Sequence, residues 1–247
     1  MKLKFFIFGV ALTIIPTPVA RGDVSQVTVF AASSLSQAFT ELGKKYESSH
    51  SNVRLVFSFQ SSSSLAAQLN AGAPADLFAS ASETDIARVK ARIPQSTAFV
   101  SNRIVLGVLP TSQIVINKMI DLNKRGVKWI QCTHTAPCGV ATDKALAVFG
   151  KINSRPISLE ASASSAVAKL VNGEVDAAFI YHTDFVAHSG ALREIRFADT
   201  LSTQTRYAMG VVADGKNREK AQDFMKYVIS AKGLLFLTQS GFTKIKP

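Results

Sequence analysis

Val27-Thr28-Val29-Phe30-Ala31-Ala32-Ser33-Ser34-Leu35 is the stretch on which the reading of this chain turns. Its first six residues are apolar or β-branched, the make-up of a buried strand. Leu35, Ala38, Phe39, Leu42 and Tyr46 then recur at helical spacing and form one apolar stripe. Ser34 sits just before that stripe with Gln37 three residues on, which predicts an N-cap and a capping box. Strand passes to helix through small, hydroxylated residues.

The unit recurs downstream. Val53, Leu55, Phe57 and Phe59 alternate as a strand, Gln60-Ser61-Ser62-Ser63-Ser64 follows, and Leu65, Ala66 and Leu69 begin a second helix. Further strands are predicted at 75–80, 104–109, 127–132, 175–181 and 207–213, and further helices at 139–149, 166–171, 218–229 and 232–239. Strands alternating with helices predict an α/β fold with mainly parallel sheets. No low-complexity linker divides the chain, so two lobes require it to cross between them twice, near 102–105 and near 204–207.

The chain has 247 residues, 47% of them hydrophobic and 18% charged, which is a globular composition. Lys2 and Lys4, the apolar run Phe5–Ile15 and the small residues around Ala20 and Gly22 follow the order of a secretory signal. The run is shorter than the roughly 20 residues that span a bilayer. Cleavage is expected after Gly22, or after Ala20; an uncleaved anchor is the alternative. No cysteine follows the run, so a lipid anchor is not expected. A signal peptide over 1–22 places the mature chain outside the cytoplasmic membrane, in a periplasm or an equivalent compartment. Its loss removes three basic residues and lowers the formal charge from +11 to +8. The remaining basic residues are scattered, with no run of five, and an exported chain of this kind is not expected to bind nucleic acid. Cys132 and Cys138, six apart, read as a local disulfide in an oxidising compartment.

Catalytic signatures are sparse. There is no Gly-x-Ser-x-Gly elbow, phosphate loop, dinucleotide fingerprint, His-x-x-x-His or Cys-x-x-Cys. No metal ligand set and no cofactor are expected; His134 beside the two cysteines does not complete a metal site. Of the four histidines only His182, after a strand end, is placed near a cleft. Asp76 and Asp143 read as structural caps. What remains is serine where strands hand over to helices, at Ser33-Ser34 and again at Ser61–Ser64. Ligands bind at that edge of open α/β sheets. Unpaired N–H groups and the positive dipole end there make a donor cluster for an anion.

At this point the residues carry a family resemblance. VTVFAASSL (27–35), FQSSSSL (59–65) and GAPADLFASA (72–81) together resemble the periplasmic molybdate-binding protein family, the substrate-capture components of molybdate ABC transporters. Ala136-Pro137-Cys138-Gly139, Ile180-Tyr181-His182-Thr183-Asp184 and Gly241-Phe242-Thr243 extend the likeness along the chain. The resemblance implies a two-lobed, type II-like periplasmic binding protein with a double-crossing hinge. Lobe 1 would hold 23–103 and 207–247, and lobe 2 would hold 104–206. It also implies a soluble monomer that closes on molybdate or tungstate, delivers it to a membrane permease and performs no chemistry. Carried over by motif, the oxyanion ligands are Ser34, Ser62, the N–H of Cys138, the N–H of Ala163 and the Tyr181 hydroxyl. Near Ala163 the sequence departs from the family's acidic-Val-Arg pattern, so Ser162, Ser164 or Ser165 is an alternative donor. Two rival readings stand beside this one. The first is the same fold holding sulfate, thiosulfate or a small carboxylate, although Arg103 is the nearest arginine that could fork a carboxylate. The second is an exported serine hydrolase pairing Ser34 or Ser62 with His182.

Overall fold

The computed structural model describes residues 24–196 and 204–245. The expected signal peptide over 1–22 therefore lies outside the described residues. Strand β1 (Ser25–Ala32) lies between β2 (Val53–Gln60) and β3 (Leu77–Ser80), parallel to both. Helix α1 (Ser36–Ser49) makes the crossover from β1 to β2, and α2 (Ser62–Asn70) the crossover from β2 to β3. Parallel neighbours need such crossovers, and the apolar stripe of α1 packs onto the sheet: Ala38, Phe39, Leu42 and Tyr46 are buried with Val27, Val29 and Leu55.

After the short helix α3 (Glu83–Arg88) comes β4 (Thr97–Val108), twelve residues long. It is the strand on which the architecture pivots. Over Thr97–Arg103 it pairs antiparallel with β9 (Gln204–Val211), and over Ile104–Val108 antiparallel with β7 (Ala177–Tyr181). The sequence shows only its second half, because Thr97–Asn102 carries polar residues without strict alternation. Beyond the partner change lies a second parallel core: β5 (Trp129–Cys132) between β6 (Ser158–Glu160) and β7. Helices α4 (Pro137–Phe149) and α5 (Ala163–Val171) make its crossovers, and α6 (His182–Ala187) leaves β7. Strand β8 (Arg193–Ile195) flanks β4; helices α7 (Arg218–Ile229) and α8 (Ala231–Gln239) and the short β10 (Thr243–Lys244) return to the first half. The expectation of mainly parallel sheets holds for the two three-stranded cores. Their flanks are antiparallel, so the sheet is mixed.

The two halves repeat one plan at an offset of 100 residues. Asp76 and Asp176 each enter the last strand of a parallel core. The Asp76 carboxylate accepts the Thr28 N–H at 2.8 Å, and its own N–H donates to the Thr28 carbonyl at 2.8 Å. Asp176 does the same with Lys128, at 2.7 and 2.8 Å. Val212 and Leu109, in turn, donate to the Asp76 and Asp176 carbonyls. Asp76 also accepts the Asn217 N–H at 2.8 Å, at the N-cap of α7, so its reading as a cap is right. Asp143 is different. It lies inside α4 and pairs with His134 at 2.7 Å and Gln131 at 3.1 Å.

Candidate functional site

Each sequence-nominated residue lies at the carboxyl end of a strand, where the chain turns into a helix. The 3-10 turn Ser33–Leu35 joins β1 to α1 and contains Ser34. Ser62 is the first residue of α2, Cys138 the second of α4, and Ala163 the first of α5. Tyr181 ends β7, immediately before α6. All five are buried. The offset plan pairs them: the junctions after β1 and β5 carry Ser34 and Cys138, and those after β2 and β6 carry Ser62 and Ala163.

Two local expectations need correction. Ser34 is not an N-cap. The chain enters α1 through a 3-10 turn, neither Ala32 before the turn nor Leu35 before α1 makes a side-chain cap bond, and the Ser34 hydroxyl pairs instead with the Tyr207 hydroxyl at 2.7 Å. The second helix begins at Ser62 and not at Leu65, because Ser61 caps it by accepting the Ser64 N–H at 3.3 Å. That leaves Ser62 at the first helical position, where its hydroxyl oxygen accepts the Ala81 N–H at 2.8 Å. The Ser62 hydroxyl proton is thereby left to donate elsewhere.

In the second half, Pro137 opens α4 with no N–H to spare, so Cys138 follows with an N–H in the unpaired first turn. Cys138 is bonded to Cys132, Cα to Cα 5.7 Å, which ties this turn to the end of β5. Gly139 allows the close fit, since a Cβ there would stand 1.9 Å from the Thr133 carbonyl oxygen. Around Ala163, Ser162 caps α5 by accepting the Ser165 N–H at 3.2 Å and pairs with the Ser165 hydroxyl at 2.8 Å. Ser164 donates to the Ser33 carbonyl at 3.2 Å. All three alternative serines have protein partners, and the Ala163 N–H lies in the unpaired first turn of α5.

Tyr181 is the most informative. Its hydroxyl is buried and has no hydrogen-bond partner among the described residues. Burial holds its ionisation far above the usual tyrosine range; the Thr205 and Tyr207 hydroxyls lie near enough to ease that slightly without reaching hydrogen-bond geometry. A buried orphan hydroxyl costs about 1–3 kcal/mol, and among the described residues Tyr181 Oη shares that state with Tyr46 Oη and Gln131 Oε1. Beside it, burial pushes the Asp184 carboxyl up to about 7, opposed by the Tyr181 N–H that it accepts at 3.0 Å. Asp184 as a residue is only partly buried.

The structure also brings in residues the sequence did not nominate. Tyr207 on β9 and Asn102 on β4 are buried; Asn102 reaches the Thr183 hydroxyl at 2.8 Å and the Tyr207 hydroxyl at 3.4 Å. Tyr207 lies 173 residues from Ser34, so no local pattern links them. His182 does not meet either serine. Its Nδ1 pairs with Glu194 at 2.9 Å, and Arg103 and Arg196 reach the same carboxylate at 3.6 and 3.0 Å. Burial, with Arg103 beside it, lowers the His182 pKa. Among the described residues no hydrogen bond joins His182 to Ser34 or Ser62, so the nucleophile–base contact that the hydrolase reading requires is not formed. Arg103 is engaged with Glu194 and offers no free fork for a carboxylate. Among the described residues no group of three or more His, Cys, Asp or Glu could hold a metal, and no helix is long and apolar enough to cross a membrane.

Two α/β cores joined through β4 and β9 carry buried polar groups at the strand ends that turn into helices. Residues 27–243 match the bacterial extracellular solute-binding protein family, and the chain belongs to it. The chain is 32% identical to the molybdate-binding protein ModA of Mycobacterium tuberculosis, across 93% of this chain and 87% of that one. Among solved structures, the periplasmic molybdate-binding protein of Azotobacter vinelandii superimposes with a TM-score of 0.80 at 17% identity, covering 89% of this chain and all of that one. The sulfate-binding protein SubI of Mycobacterium tuberculosis gives 0.77 at 16% identity, covering 90% and 88%. At these identities the structural likenesses bear on the fold alone.

Proposed function

We propose that this chain captures molybdate or tungstate outside the cytoplasmic membrane, to which an N-terminal signal over 1–22 exports it, and hands the oxyanion to the permease of an ABC transporter. It acts as a monomer, carries no cofactor and catalyses no reaction; the oxyanion is cargo. The observation that carries the reading is the set of five buried, uncharged donors at strand-to-helix junctions, one of them the orphan hydroxyl of Tyr181. Ser34 and Ser62 give their hydroxyls and N–H groups, Cys138 and Ala163 their N–H groups, and Tyr181 its hydroxyl. The lobes are 23–103 with 207–247, and 104–206; the partner change within β4 supports a hinge there. Closure about that hinge couples capture to docking on the transporter.

The energetics favour such a site. Burying a dianion is costly unless directed hydrogen bonds replace its water. Bonds to charged groups contribute about 1.5–3 kcal/mol each, and the first turns of α2, α4 and α5 add their dipoles. The relatives named for molybdate support the choice of ligand. A second reading, sulfate, rests on the chemistry of the same groups, since buried uncharged donors suit any fully deprotonated tetrahedral dianion. Molybdate and sulfate share charge and shape and differ in size, so the radius left by lobe closure decides between them.

Thermal unfolding of residues 23–247 with molybdate, tungstate, sulfate or phosphate tests the proposal. A ligand at 1,000 times its Kd stabilises by about 4 kcal/mol. For a chain of this size that is a rise of roughly 8–16 °C. The expected result is a large shift with molybdate and tungstate and none with phosphate. A shift with sulfate alone would select the second reading, and no shift with any oxyanion would reject both.

A further inference from the structure

The two serines proposed as ligands are polarised in different ways. The Ser62 oxygen accepts a backbone N–H, that of Ala81, and a backbone N–H cannot change direction. The Ser34 oxygen faces a hydroxyl, that of Tyr207 at 2.7 Å, and either group could donate. The surroundings of Asn102 bias that choice. Its Oδ1 accepts the Arg103 N–H at 2.9 Å, which assigns the amide orientation and commits Nδ2 to donating. One Nδ2 hydrogen goes to the Thr183 hydroxyl at 2.8 Å and the other points to the Tyr207 hydroxyl at 3.4 Å. With Asn102 on one of its lone pairs, Tyr207 is disposed to give its own proton to Ser34 at 2.7 Å. The Ser34 proton is then free for a ligand. All four side chains are buried, so water does not scramble the chain of donors.

From this chain of donors we infer that Tyr207, set by Asn102, is a specificity-determining residue: it fixes the Ser34 hydroxyl as a donor and so excludes oxyanions that carry a proton. The inference rests on the proposed role of Ser34 at the oxyanion. A site whose every group donates suits molybdate and sulfate, which are fully deprotonated. Hydrogen phosphate brings a proton of its own, and with Ser34 held as a donor that proton meets no acceptor. A buried unpaired donor is the kind of loss on which sites discriminate strongly. Tyr207 touches the ligand only through Ser34, so its role is that of a positioning residue.

The test is titration calorimetry of the mature protein and Tyr207→Phe with molybdate, sulfate and inorganic phosphate in mildly alkaline buffer, where phosphate is chiefly hydrogen phosphate. In the variant Ser34 regains its rotation and can accept the phosphate proton. Molybdate should weaken by about tenfold, and the preference for molybdate over phosphate should narrow by tenfold or more. Asn102→Leu should narrow it in the same direction and by less, because Tyr207 then orients freely. Melting of the ligand-free variants confirms that they fold. If Tyr207→Phe weakens all three anions in parallel, or changes none, Tyr207 is structural and the inference falls while Ser34 keeps its proposed place. If the wild-type protein binds none of the three, the reading of the site falls first and this inference with it.

Discussion

Tyr181→Phe moves stability and affinity in opposite directions if the reading of the site is correct. In the ligand-free protein the Tyr181 hydroxyl is buried and has no hydrogen-bond partner among the described residues. Removing it relieves a desolvated polar group, a gain of about 1–3 kcal/mol, less the contribution of the nearby Thr205 and Tyr207 hydroxyls. With 1 kcal/mol worth about 2–4 °C in a chain of this size, the ligand-free melting temperature should rise, by roughly 2–12 °C before that discount. The same hydroxyl donates to the bound dianion. Losing a hydrogen bond to a charged group costs about 1.5–3 kcal/mol, which weakens molybdate by roughly 10- to 150-fold. Scanning calorimetry without ligand and titration calorimetry with it measure the two effects on one preparation. A structural tyrosine would lower the melting temperature and leave affinity nearly intact. That outcome, or a rise in stability with unchanged affinity, would remove Tyr181 from the ligand set.

Two further perturbations follow from the same geometry. Reducing Cys132–Cys138 opens a small loop whose closure is worth about 2–3 kcal/mol, so the melting temperature should fall by roughly 4–12 °C in reductant. Because the bridge positions the first turn of α4, molybdate should also weaken by a few-fold; unchanged affinity in reductant would show that the turn holds itself. Asp184, with a carboxyl raised to about 7, holds a proton in the folded protein that the unfolded chain has released. Its contribution to stability is therefore full below the ordinary aspartate range near 4 and is lost as pH rises towards 7. Asp184→Asn, which keeps an oxygen for the Tyr181 N–H, should flatten the decline of melting temperature between pH 4 and 7. A variant whose profile follows the wild type would reject Asp184 as its source.

The sequence exposes what is local and hides what is paired at a distance. Val27–Ala32 reads as a buried strand because six consecutive apolar or β-branched residues have few alternatives. Leu35 to Tyr46 reads as a helix because one face must be buried. Thr97–Arg103 carries no such signal, although it forms half of the strand that joins the two cores. Its strand character comes from β9, about a hundred residues away, and from no pattern of its own. Ser34 attracts attention as a cap, since serine before an apolar stripe usually is one. It is buried for another reason, because Tyr207 reaches it from β9. Ser61, one residue before the proposed ligand, takes the capping role instead, and a sequence of four serines gives no means of dividing those tasks.

In the proposed site, the offset plan would let uncharged groups hold a dianion. Each parallel core ends two strands at one edge, and each strand end starts a helix, so doubling the core doubles the first turns available. Asp76 and Asp176 stand at matching places and bind the backbone of the adjoining strand in the same way. They fix the register that sends both cores to their junctions in step. At the proposed site the halves differ: serines in the first, and Cys138, Ala163 and Tyr181 in the second. Backbone N–H groups have no proton to lose and no rotor to misplace. Hydroxyls have both, and they are the groups that need outside help, Ser62 from the Ala81 N–H and Ser34 from Tyr207. An uncharged site thus discriminates by direction, and direction is set by residues that do not touch the ligand.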